Sequence, residues 1–275
     1  MQATLPHFIV VFIYLAVAIA FWRSTKKPSE HTSNQSLKLH SALIALGLAI
    51  HGWLLYLDIF GADFGSSFNL GFFNALSLIF WLTVLVYWFA NLKHQLQSLQ
   101  AFVLPPAALF ALLPALIVTD HFIPETIQPL FMAHIGVALI AYSLFTFAAL
   151  HALLMTIAER SLHNKPNIIK LPSLPPLMMM ESLLFRVITI GFVLLTLTLI
   201  SGMLFSEQIF GKPLQFTHKT VFSIASWLIY GWLLFGRYQY GWRGKKAIGW
   251  TLTGFVLLLL AYVGSKFILQ VLLHR

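Results

Sequence analysis

Eleven histidines stand against eight acidic residues in this 275-residue chain, and the histidines are the side chains whose chemistry repays attention first. A neutral imidazole donates through one ring nitrogen and offers a lone pair on the other, so it can bridge helices, carry a proton or ligate a metal ion. His31, His40, His94 and His163 lie in or beside polar stretches and read as solvated. His51, in "LAIHGWLLYLD", and His151 lie deep in apolar runs. There an imidazole serves as glue between helices or as a way-station for a transported solute. His7, His121, His134, His218 and His274 form a third group, at the ends of apolar runs. Cysteine is absent, which excludes a disulfide framework, a thiolate metal site and a thiol relay carried by this chain.

The elements that must position these residues are set by lipid. Hydrophobic residues make up 59% of the chain and charged residues 9%, where a soluble domain carries roughly 25% charged. Apolar stretches long enough to cross a bilayer run roughly over 5 to 22, 39 to 60, 68 to 90, 101 to 118, 128 to 158, 183 to 205, 217 to 236 and 247 to 272. The expected fold class is therefore all-α, a polytopic membrane protein with eight transmembrane helices, and the chain reads as one domain over 1–275. Pro-rich "LPPAALFALLP", from Leu104 to Pro114, predicts a fourth helix that is kinked or begins irregularly. The two longest polar connections, Arg23 to Lys38 and Glu159 to Glu181, carry no phosphate-binding glycine loop.

The net charge of +9 is informative only when sorted by connection. Arg23, Lys26, Lys27 and Lys38, then Lys93, then Arg160, Lys165 and Lys170, then Arg237, Arg243, Lys245 and Lys246 fall on alternate connections, which marks that side as cytoplasmic. Both termini are then expected on the external side of a bacterial cytoplasmic (inner) membrane. Membrane lipid accounts for the basic residues, and no nucleic-acid partner is needed.

Four basic residues break this pattern: Lys212, Lys219, Lys266 and Arg275, all flanking the outer ends of the seventh and eighth spans, beside His218 and His274. His134 sits about one and a half turns past the outer end of the fifth span, shallow but inside. Two imidazoles on opposing helices at one depth can clamp the iron of a porphyrin, and a positive patch beside them suits its propionates. The same patch suits anionic lipid headgroups, or four ordinary snorkelling side chains.

The run from Leu214 to Phe267 contains "SWLIYG" followed by "GWRG" and a final apolar span. It resembles the cytochrome c assembly family, the haem-handling membrane proteins CcsA, ResC and CcmC, and most of all its HemX-like branch. Members carry an external "WxWDPKETW" motif, a span of the type "WLIYAxYLHxR", then "GWRG". With "HGWLLYLDIF" and "NALSLIFW" the likeness covers roughly residues 40–275. It implies that His134 and His274 are the external axial ligands of a haem, with Lys212, Lys219 and Arg275 pairing with propionates. The departures are at the tryptophan-rich motif: Phe216 replaces the second tryptophan, Thr217 the aspartate, His218 the proline and Thr220 the glutamate, with Lys219 kept. Phe216, Phe222 and Trp227 offer aromatic faces in place of the missing tryptophans, or anchor the helix at the interface. Phe235 stands where the family has a membrane-embedded histidine. The expected function is haem binding or presentation in cytochrome c maturation, with apocytochrome c or another maturation protein as partner. The alternatives are a HemX-like non-enzymatic regulator and a transporter using His51 and His151.

Overall fold

The computed structural model describes residues 4–26, 34–61, 67–94, 96–117, 122–124, 129–163, 175–210 and 217–264. Among them are eight helices long and apolar enough to cross a membrane: α1 (Leu5–Lys26), α2 (Asn34–Phe60), α3 (Phe72–His94), α4 (Gln100–Leu116), α5 (Pro129–His163), α6 (Leu177–Phe210), α7 (His218–Tyr240) and α8 (Gly244–Leu259). Helices are what lipid demands, because each satisfies its backbone donors and acceptors within its own length. Large apolar side chains such as Phe12, Leu130, Ile200 and Leu228 are exposed on these helices, as a surface facing acyl chains requires. The all-α, eight-helix expectation is met.

Several boundaries differ by a turn or so, and three of the differences are instructive. The third helix starts at Phe72, because Ser67–Asn69 (β1) pairs antiparallel with Phe122–Pro124 (β2), Phe68 opposite Ile123. The sixth begins at Leu177, several residues before its unbroken apolar run. The eighth gives way at Leu260 to a π-helical turn that runs to Gly264. The fourth helix does begin irregularly, following a 3₁₀ turn at Gln97–Leu99, and it contains Pro105, Pro106 and Pro114. Each proline lacks an N–H, so the carbonyls of Ala101, Phe102 and Phe110 receive no i→i−4 bond from it.

The chain forms two compact units, one of residues up to 125 with 157–177, the other of 126–156 with 178–275. In the first, α1 packs on α2 and α4, and α3 packs on α2 and α4. Buried Ala107, Ala108 and Ala111 on α4 permit close helix approach. Gly47 on α2 has the same role against α1: a Cβ there would lie 2.6 Å from a ring carbon of Tyr14. Indole N–H groups tie α3 to α2, Trp81 donating to the Leu48 carbonyl at 2.8 Å and Trp88 to that of Ser41 at 3.1 Å.

The second unit is organised around the α7–α8 hairpin. Gly241, at φ 63°, ends α7 in the left-handed conformation, and its N–H returns to the Arg237 carbonyl. Ser226 donates to the Gly254 carbonyl at 2.8 Å and Tyr230 to that of Thr251 at 3.2 Å. Tyr230 also stacks on Phe145 of α5, ring centroids 4.0 Å apart. A Cβ on Gly254 would meet the Tyr230 ring at 2.8 Å, so only glycine lets the two helices close. In the turn after α7, Trp242 packs over Gly236, where no Cβ fits.

Candidate functional site

The arrangement with the most chemical potential lies where the first turns of α5 meet the last turns of α6. Pro129 opens α5, a position whose N–H has no helical partner in any case. His134 follows about 7.5 Å along the axis. Its Nδ1 lies 2.7 Å from Ser201 Oγ on α6. The serine hydroxyl has a single proton, and its shortest contact, 2.6 Å, is to the Leu197 carbonyl, which can only accept. Ser201 Oγ therefore accepts from His134, which puts the ring proton on Nδ1 and the lone pair on Nε2. Among the described residues Nε2 has no hydrogen-bond partner.

Phe131 and Phe205 flank the imidazole, their centroids 6.0 and 5.7 Å from it. Gly202 lies beside it, a Cβ there coming only to 3.4 Å of Cε1. The ring is half-buried. Lys219, exposed in the first turn of α7, is near enough for its charge to act on the His134 ring. The structure thus brings together two of the residues singled out by sequence, His134 and Lys219, and adds Ser201, Phe131 and Phe205. Ser201 was the one to find: a hydroxyl-glycine pair, "ISGM", interrupts the outer end of the apolar sixth span.

The other candidates fall out as follows. His218 is the exposed first residue of α7. The preceding Thr217 caps that helix, its hydroxyl accepting from the Thr220 N–H at 3.4 Å and contacting the Thr220 hydroxyl at 3.1 Å. Phe222 is half-buried one turn further on. Trp227 lies about 12 Å below Lys219 along the helix. Its indole N–H donates to Thr196 at 2.8 Å and its ring stacks on Phe192. His274, Lys212, Arg275 and Phe216 lie outside the described residues, as does Lys266.

A haem needs an axial ligand with a free lone pair, apolar or aromatic walls and a cation for its carboxylates. His134, the two phenylalanines and Lys219 meet those requirements on the side of one ligand. Among the described residues no three His, Cys, Asp or Glu side chains gather into a metal-binding set.

The remaining buried histidines are each held by at least one ring nitrogen, though Nδ1 of His7 and of His151 has no partner among the described residues. His51 is held by Ser77 Oγ at 2.9 Å on Nε2 and by Tyr14 Oη at 3.4 Å on Nδ1, joining α1, α2 and α3. His151 Nε2 donates to the Met180 carbonyl at 3.0 Å, joining α5 to α6. His7 pairs with Asp58 at 3.2 Å. These contacts fit the reading of His51 and His151 as interhelical glue.

Comparison with known proteins completes the picture. The chain is 38% identical over 144 residues to the inner membrane protein YpjD of Escherichia coli, covering 52% of this chain and 54% of that one. It is 35% identical over 140 residues to an uncharacterized 28.8 kDa protein of Azospirillum brasilense, 51% of this chain and 52% of the other. It is also 38% identical over 89 residues to the cytochrome c biogenesis protein CcsA of Prochlorococcus marinus, 32% of this chain and 29% of that one. The chain thus spans about half the length of the YpjD relatives it matches. The family described as Cytochrome C assembly protein matches over residues 39–273. With eight membrane-crossing helices behind that match, the chain belongs to the cytochrome c assembly family and is a multi-pass protein of the bacterial inner membrane.

Proposed function

We propose that this chain binds haem at the His134 end of its second unit and presents it during cytochrome c maturation. One observation carries the reading: the Ser201 hydroxyl accepts a hydrogen bond from the Nδ1–H of His134, which leaves Nε2 with a lone pair and no partner among the described residues. A hydrogen bond on the far nitrogen fixes the tautomer and the ring plane of an imidazole ligand and raises its basicity. Bound haem supplies a redox-active iron and the porphyrin that maturation joins to apocytochrome thiols.

The chain's own residues would then divide the work. His134 holds the iron, Ser201 orients the ring, Phe131 and Phe205 exclude water, and Lys219 pairs with a carboxylate. From the sequence, His274 would supply the second ligand, and Lys212 and Arg275 further cations. With no cysteine the chain presents haem rather than attaching it, and a partner contributes the thiols. The reading puts both termini on the external side, as the sorting of lysine and arginine by connection supports.

The test is an absorption spectrum of the full chain purified from cells supplied with ample haem. A Soret band is expected, lost in the His134→Ala, His274→Ala double variant. A colourless wild-type protein, or a band unchanged in the double variant, defeats the proposal. One observation favours the HemX-like regulator as second reading. Thr217 and Thr220, which stand where the family motif has its aspartate and glutamate, are spent on capping α7. That reading expects no pigment and a protein that co-purifies stably.

A further inference from the structure

Away from His134, at the end of the second unit where α6 begins and α7 ends, an arginine lies within a membrane span. Arg186 stands in the third turn of α6, inside the crossing segment Leu177–Phe205. A guanidinium at such a depth is costly unless an anion meets it. Among the described residues no carboxylate pairs with Arg186. Glu181, the nearest acid along the helix, accepts instead from the Gly244 N–H at 2.8 Å.

Arg186 lines an open surface groove of about 480 Å³ together with Ser182, Phe185, Thr189, Ile190 and Arg237. Arg237 is fixed there: one Nη donates to the Trp242 carbonyl at 3.0 Å, and the guanidinium lies 4.6 Å from the centroid of the Phe185 ring. That leaves further N–H donors of Arg237 for a ligand. The Thr189 hydroxyl is committed to the Phe185 carbonyl, but Ser182 is an exposed donor. Phe185 and Ile190 make the remaining wall apolar.

Two features fix what kind of anion fits. Tyr238 and Tyr240 are 90% and 63% exposed beside Trp242 at the end of α7, a set of amphipathic rings that marks headgroup depth. Arg243, Lys245 and Lys246 follow immediately, with the Lys246 ammonium 5.6 Å from the Trp242 ring centroid. The surface is therefore positive at the level where lipid phosphates lie. Ile190, exposed at 55%, borders the groove on the acyl-chain side.

We propose that this groove holds the phosphate of an anionic phospholipid, bridged by Arg186 and Arg237 with Ser182 donating, its tails along Ile190. The site is independent of His134 and of any haem. It assigns the exposed, unpaired charge within the α6 span a partner that arrives from the membrane rather than from the chain.

The full chain, delipidated in an uncharged detergent, is titrated with phosphatidylglycerol and with phosphatidylcholine, and bound lipid is counted by native mass spectrometry. Wild type is expected to prefer phosphatidylglycerol, and Arg186→Gln to weaken that binding by about tenfold or more, the loss of charge-assisted hydrogen bonds. Arg186→Lys should keep part of the preference. Ser182→Ala, at an exposed position, gives a smaller loss in a protein whose fold is not at risk. The proposal is overturned if both Arg186→Gln and Ser182→Ala retain the full preference. It is overturned equally if millimolar inorganic phosphate displaces the lipid, which would make this a site for a free anion.

Discussion

His51 and His134 are both imidazoles on membrane-spanning helices, and the difference between them separates two uses of the same side chain. His51 is 1% exposed, with Ser77 on one nitrogen and Tyr14 on the other, so it has no valence left for a ligand. His134 is half-buried, with one nitrogen pinned to Ser201 and the other unclaimed among the described residues. The first unit thus spends its histidine on cohesion between α1, α2 and α3. The second holds His134 in a fixed tautomer and orientation while leaving Nε2 unclaimed among the described residues. What separates the two is whether an unclaimed ring nitrogen sits on a ring that is still partly exposed; His151, whose free Nδ1 is fully buried, falls with His51.

The largest effect that tests this contrast is on pigment. His134→Ala alone should abolish Soret absorbance while leaving thermal unfolding in detergent close to wild type; His51→Ala should do the reverse. For His51→Ala a stability loss of about 2–4 kcal/mol is expected, from an interhelical cavity and lost hydrogen bonds, with the spectrum unchanged. A pigment lost in both variants would erase the distinction. Next, Ser201→Ala should weaken haem binding by about 10–100-fold, the usual cost of removing the group that orients a ligating histidine, measured by titration of the apo-protein. An unaltered affinity would mean that Ser201 does not set the ring. The smallest effect is that of Tyr14→Phe, whose hydroxyl is at the outer limit of bonding distance to His51. A loss of about 0.5–1 kcal/mol is expected, and a larger one would identify Tyr14 rather than Ser77 as the principal anchor.

Much of this architecture was legible because lipid simplifies the code. A run of about 20 apolar residues has few alternatives to a helix, and eight such runs became eight helices. What the runs conceal is where helices begin. Leu177 to Glu181 enter α6 although the segment is polar in part, because a helix extends into the interface wherever its end can be satisfied. Asn69 and Phe72 fall on opposite sides of a boundary that hydropathy does not see, since β1 depends on a partner strand some fifty residues away. The candidate site was half legible. His134 and Lys219 stand out by type and position, whereas Ser201, Phe131 and Phe205 are unremarkable in an apolar segment until the helices are docked. Trp227 shows what residue type alone does not reveal: docking of α7 against α6 gives its N–H to Thr196. Arg186 does not break its apolar run, although an isolated guanidinium at that depth is a stronger signal than the run itself.

The two-stranded ribbon of Ser67–Asn69 with Phe122–Pro124 is short, yet it ties together two connections of the first unit. One strand follows α2 and the other follows α4, so the hairpins α1–α2 and α3–α4 share a main-chain tether at that end. Splaying one hairpin away from the other there requires breaking peptide hydrogen bonds, not merely sliding apolar surfaces past each other. Any rearrangement of these four helices would therefore pivot about the strapped end and widen at the opposite one.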